Sequence, residues 1–302
     1  MAEPIDRVTL FVPGVPPDAS LQLGDQIAHE WVANDGRFAD AFRFGTVEPD
    51  VLARLAVAPG AVVVSARVDL REGREALIAA VERLRDAGAI AVRLEESMLG
   101  WDVARWLELV SSPSPWDWHR AAVVVLSGGG ALQSCGMHAF SLPDVRIELD
   151  GDRAALQELA ETLNVYQLAE DPVLRSGQTF RPDEEAPRRV VERWPDVAYP
   201  PGHACHNPYG VWRLGPPGGV GRGVGELVPV FVPALAAVLG ALEAQRGQPL
   251  TEAQVLEARD RGACIMMEPR DAQRLERSRG YVDLEPELAW EQWQLVRGAG
   301  EG

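Results

Sequence analysis

Cys135 and His138 stand three residues apart, just beyond the glycine-rich stretch Ser127-Gly128-Gly129-Gly130. A cysteine nucleophile acts as a thiolate, and a histidine within hydrogen-bond reach is a common means of producing one. The pair is therefore the candidate catalytic set of a hydrolase or transferase. The competing reading is structural, because free cysteine is often a small buried hydrophobe and closeness in sequence does not create the geometry. His203-Ala204-Cys205-His206 is the densest run of soft ligands. Two imidazoles and a thiolate suit three corners of a zinc tetrahedron. Adjacent Cys205 and His206 diverge in most backbones, however, and a fourth ligand would have to come from Cys135 or His138 through the fold. A proline-rich loop whose histidines bond to backbone is the alternative, and no cofactor is expected.

Other chemistry-bearing groups read more simply. Glu95-Glu96 and Asp183-Glu184-Glu185 are carboxylate clusters whose chemistry would be acid–base work, but adjacent like charges have the form of a solvated surface. Gly218-Gly219-Val220-Gly221-Arg222-Gly223-Val224-Gly225 lacks the G-x-G-x-x-G spacing and any lysine, so it reads as a connector and not a phosphate loop. The chain holds nine tryptophans. Most are expected in the core, but Trp116 and Trp118, in Pro115-Trp116-Asp117-Trp118-His119, are the candidate interface anchors.

Composition narrows the function classes. All 29 positive charges are arginine, which excludes lysine Schiff-base chemistry and the Walker lysine. A formal net charge of −16 argues against a nucleic-acid surface and against binding to anionic lipid, and it suits a basic protein partner. Three well-separated cysteines, and first residues without a basic-then-apolar leader, predict free thiols in a reducing cytoplasm. The apolar run at 227–242 is too short for a span and contains Pro229 and Pro233, so a core helix after Pro233 and no membrane segment is expected.

The elements that must position these residues follow from periodicity. Strands are predicted at 8–12, 61–68, 89–94, 121–126 and 145–149, and helices at 23–33, 74–87 and 101–110. Asp150-Gly151-Asp152 offers N-cap oxygens to a helix whose buried stripe is Leu156, Leu159, Leu163 and Tyr166. The strands near 121 and 145 are joined too closely for a helical crossover, so they should pair antiparallel. This pattern predicts an α+β fold: a mixed, largely antiparallel sheet with helices on one face, plus a helical C-terminal part. The segments are a core over 1–180, an irregular Pro/Gly-rich wrap over 181–225, and a mainly helical part over 226–302 packed on the core. Within that last part Thr251 and Gln254 form a capping box, with Leu250 and Val255 as its hydrophobic staple.

The run Gly136-Met137-His138-Ala139-Phe140-Ser141-Leu142-Pro143-Asp144, followed by a strand, resembles the Gly-Met-x-x-Phe-x-x-Pro-Asp signature of an uncharacterised bacterial domain family. Leu163-Asn164-Val165-Tyr166-Gln167-Leu168 and Val173-Leu174-Arg175-Ser176-Gly177-Gln178-Thr179-Phe180 extend the likeness. Ser141 stands where that pattern would have glycine. The resemblance implies a shared fold and transfers no catalytic residue. Together these readings favour a soluble, non-enzymatic binding protein, an immunity or accessory factor for a basic partner, over a hydrolase or transferase.

Overall fold

A computed structural model of the chain describes residues 8–17, 19, 21–219 and 227–298. The fold is α+β, with 39% helix and 23% strand. The chain divides into two compact units that it enters alternately. One comprises Met1–Leu126, Ser134–Leu142 and Asn164–Glu170; the other comprises Ser127–Gln133, Pro143–Leu163 and Asp171–Gly302. The composition-based segments 1–180, 181–225 and 226–302 follow the chain in order, whereas these units interleave along it.

In the first unit, β1 (Val8–Pro13) and β2 (Ile27–Ala33) are followed by two short helices, α1 (Phe38–Ala41) and α2 (Pro49–Ala56). Then come β3 (Gly60–Ala66), α3 (Arg74–Asp86), β4 (Ala91–Leu94), β5 (Leu99–Asp102), α4 (Val103–Ser111) and α5 (Pro115–Ala122). The strands form one antiparallel sheet in the order β2-β3-β1-β4-β5. Its core joins Val8, Leu10 and Val12 of β1 to Leu77, Val81 and Leu84 of α3, the stripe expected from their helical spacing. The predicted helix at 23–33 is instead β2, paired with β3 from Ile27↔Ala66 to Ala33↔Gly60. Two apolar residues four apart were a weak helical signal. Pairing against the β-branched run Val62-Val63-Val64 outweighs it. The helix expected from Trp101 starts later, because the Asp102 carboxylate accepts the Arg105 N–H at 2.9 Å and so caps α4. Trp101 belongs to β5.

The remaining elements are β6 (Val124–Gly128), β7 (Ala131–Cys135), β8 (Asp144–Glu148), α6 (Arg153–Glu170), β9 (Thr179–Phe180), β10 (Arg189–Trp194) and β11 (Val211–Leu214). After them come β12 (Val228–Phe231), α7 (Leu235–Arg246), α8 (Glu252–Arg261), β13 (Cys264–Met267), α9 (Pro269–Arg279) and α10 (Ala289–Gly298). A six-stranded sheet runs β6-β7-β8-β11-β10-β9, in which β8 and β11 are parallel, and β12 with β13 forms a separate antiparallel ribbon. Residues 121 and 122 finish α5, so the strand predicted from 121 begins only at Val124. The direct pairing expected between the strands near 121 and 145 is not made: β7 lies between β6 and β8. Along α6, Leu156 and Leu163 are buried, but Tyr166 is exposed and Ala160 and Gln167 are buried, which moves the expected stripe by one residue.

The Pro/Gly-dense stretch contains β10 and β11, with Tyr209 and Trp212 buried. The C-terminal helices are fastened to β10 within the second unit. Arg193 is buried, its Nε donates to the Tyr209 carbonyl at 2.7 Å, and its guanidinium lies 3.6 Å from Glu276 and 4.8 Å over the Trp212 ring. Gln292 Nε2 donates to the Arg193 carbonyl at 2.9 Å, and Ser176 Oγ donates to Glu285 at 2.9 Å. Burial raises the carboxyl pKa of both Glu276 and Glu285. The capping box of Thr251 and Gln254 forms as expected, and Leu250 and Val255 are buried with Leu239 and Trp293.

Candidate functional site

The candidate cysteine sits at the end of β7 and is buried; its thiol donates to the Glu96 carbonyl at 3.3 Å. His138 is buried in the 3-10 turn Met137–Phe140 that follows. The signature residues around them have local structural roles. Gly136 has φ +120°, and a Cβ there would lie 2.2 Å from the Ala122 carbonyl oxygen, so only glycine fits. Met137, Phe140 and Leu142 are buried in the first unit's core. Ser141 takes the left-handed conformation, φ +56°, which is the reason glycine would suit that position. Asp144, at the start of β8, is buried in the second unit and accepts Asn207 Nδ2 at 2.6 Å.

Around Cys135 the first unit gathers polar side chains that have no obvious pattern in the sequence. Glu96 lies in the turn between β4 and β5 and is only 7% exposed, which corrects the reading of Glu95-Glu96 as a solvated pair. Its Oε1 accepts the Thr9 N–H at 2.7 Å, while its Oε2 and the neighbouring Ser97 Oγ are buried without a hydrogen-bond partner among the described residues. Burial, with the adjacent Glu95 charge adding to it, raises the Glu96 pKa to about 8, so at neutral pH it is a protonated acid. On the other side of the segment, Asn164 Nδ2 donates to His119 Nε2 at 3.2 Å, and Ser134 Oγ donates to Asn164 Oδ1 at 3.5 Å. Burial, then the Arg120 charge, lowers the His119 pKa to about 4, so the ring is neutral and can accept that bond.

His203, Cys205 and His206 fall in the second unit. His203 Nδ1 accepts the Cys205 N–H at 3.1 Å, and the His203 ring stacks on Tyr199 at 4.9 Å. His206 Nδ1 donates to the Tyr199 carbonyl at 2.9 Å and lies 3.8 Å from Asp196. Asp196 in turn accepts the Asn207 N–H at 2.9 Å and Gln133 Nε2 at 3.1 Å. Among the described residues no group of three or more His, Cys, Asp or Glu is arranged to hold a metal ion. The two candidate sets thus belong to different units, and each is engaged in local hydrogen bonds.

Both loop tryptophans lie on α5. Trp118 Nε1 donates to the Ser112 carbonyl at 2.6 Å, and the Arg74 guanidinium lies 3.9 Å over its ring, so this side chain is partly committed to the unit's own structure. Trp116 is 45% exposed. Asp183, Glu184 and Glu185 are exposed, as expected. The glycine-rich connector falls largely at 220–226, outside the described residues. Sequence reasoning placed Glu96 in solvent and singled out neither Asn164 nor His119 as a functional residue. The single advance signal for them was Glu96 following the apolar strand 91–94, which does not distinguish a turn exposed to water from one folded inward. No helix among the described residues is long and apolar enough to cross a membrane. Compared with protein-family models, curated proteins and solved structures, the chain matches none.

Proposed function

We propose that the protein acts in the cytoplasm by binding a basic protein partner, as an immunity or accessory factor does, and that its signature segment serves the fold. The observation that carries this reading is the contrast between Cys135 and Trp116 within the first unit. Cys135 is buried with its thiol engaged by a backbone carbonyl, whereas Trp116 holds a large aromatic ring in solvent. An exposed tryptophan on a chain of net charge −16 suits an anchor for a cationic surface. The structural roles of Gly136, Phe140 and Asp144 are consistent with a fold shared with the uncharacterised family that the segment resembles.

The test is capture of partners from the native host by the purified chain at low and high salt, beside a Trp116→Ala variant. The reading expects a basic protein that is retained at low salt and released at high salt. Loss of the ring should weaken retention by about 30-fold, the scale of an interface anchor worth about 2 kcal/mol. Absence of any salt-sensitive basic partner removes the basis of the proposal. One observation favours the enzyme reading in second place: the protonated Glu96, with an unpartnered oxygen, lies beside the strand that carries Cys135. Alkylation of Cys135 in the folded protein well below the ordinary thiol range near ~8.5 would move the balance to that reading.

A further inference from the structure

The ribbon of β12 and β13 has one closed edge and one open edge. On β12, Pro229 lies opposite Met266 and has no N–H to give, so that pair is a non-hydrogen-bonded one. Val232 N donates to the Ala263 carbonyl at 2.9 Å, which sets the same alternation from the other end. Cys264 and Met266 therefore direct their N–H and C=O groups away from β12. The outer edge of β12 is closed: Arg279 donates to the outward Phe231 carbonyl at 2.9 Å, and Pro229 presents no donor. The outer edge of β13 meets no strand among the described residues. Its side chains are apolar and exposed, Ile265 at 51% and Met266 at 53%, with Cys264 also exposed. From Gly262 to Met267 no residue is charged, so none of the usual charged guards against edge pairing is present.

We propose that this edge pairs with the same edge of a second copy of the chain, antiparallel, to make a four-stranded sheet across a two-fold axis. Charge selects the occupant and the direction. Arg261 stands at one end of the uncharged stretch and Glu268 at the other, both exposed. Antiparallel self-pairing sets each basic end beside the acidic end of the other copy, while parallel pairing would set like beside like. The outward groups then select the register. Cys264 faces Met266 of the second copy, all four outward N–H groups of the pair find carbonyls, and Ile265 sits against Ile265 of the second copy on the axis. This inference does not rest on the basic-partner reading, which concerns the other unit.

Sedimentation equilibrium on the full chain over a range of concentrations, with disulfide trapping, tests it. The wild type is expected to approach twice the 32.8 kDa chain mass. Ile265→Lys, a change at an exposed position, should abolish the dimer while circular dichroism shows the fold retained. In a Cys264→Ser background, Ile265→Cys should form a disulfide-linked dimer under mild oxidation, because a non-hydrogen-bonded pair sets the two Cα atoms ~4.5 Å apart. Native Cys264 should not crosslink, since in this register the two copies lie beyond the ~7 Å limit. A chain that remains a monomer at the highest concentration overturns the proposal. So does a dimer that survives Ile265→Lys, or one in which Cys264 crosslinks and Ile265→Cys does not.

Discussion

Replacing Glu96 by glutamine should stabilise the protein at neutral pH and abolish the fall in its stability above pH 6.5. Glu96 is buried, its pKa is raised from 4.5 to about 8, and the principal cause is desolvation. The folded state therefore holds a proton that the unfolded state releases from about pH 4.5 upward. Stability contributed at this site is fully present below the unfolded pKa and falls as pH rises, until the folded group also ionises near 8. At ~1.4 kcal/mol per pH unit the loss by pH 7 is about 3 kcal/mol. His119 has the opposite sign. Its pKa is lowered from 6.5 to about 4, so its contribution is present above 6.5 and is lost as pH falls toward 4.

The two slopes oppose each other between pH 4.5 and 6.5, the window both shifts share. In the wild type, the combined contribution of these two groups should be nearly flat across that window and fall above it. Glutamine keeps the oxygen that accepts the Thr9 N–H and cannot ionise. Glu96→Gln should therefore be more stable at pH 7 by about 3 kcal/mol, reduced by about 1 kcal/mol for the buried amide protons without acceptors. Its lead over the wild type should grow from pH 5 to pH 8, and removing the Glu96 slope should leave the loss below 6.5 assignable to His119. Urea unfolding at half-unit pH steps, followed by tryptophan fluorescence, measures both curves. A constant difference between variant and wild type from pH 5 to 8 would refute the reasoning, because it would mean that Glu96 is ionised in the fold throughout.

Three further outcomes follow from the packing. Gly136→Ala should destabilise the first unit by about 2 kcal/mol or more, since a side chain at positive φ meets the Ala122 carbonyl, and thermal unfolding checks it. Arg193→Met should cost about 1–3 kcal/mol, because the buried Tyr209 carbonyl loses its donor and the half-buried Glu276 and Glu285 lose the Arg193 charge, and the loss should shrink at low pH as those carboxyls protonate. Under a thiol reagent in native buffer, Cys264 should react at once, and Cys135 and Cys205 only on unfolding, as peptide mass mapping against time would report. Rapid labelling of Cys135 in the folded chain would contradict the buried, hydrogen-bonded thiol.

Local pattern was enough to place the elements whose signal lies within a few residues. The β-branched run at β3, the Leu77-Val81-Leu84 stripe of α3 and the capping box of α8 all form where their spacing and end residues indicate. Such features depend on backbone periodicity and on hydrogen bonds between near neighbours, and the chain carries that information by itself. The α+β class followed from the same signals. What pairs with what did not. Ile27 and Trp31 gave β2 a helical spacing that pairing with β3 overrode, and β7 entered between two strands expected to pair directly with each other. The chemistry of the interior was equally a product of the tertiary structure. Glu95 and Glu96 are identical in type and adjacent, yet it is Glu96 that the fold carries out of water against β1, where burial makes it a protonated acid. A carboxyl's charge is set by the solvent it loses and the donors it meets, and those come from residues as distant in sequence as Thr9.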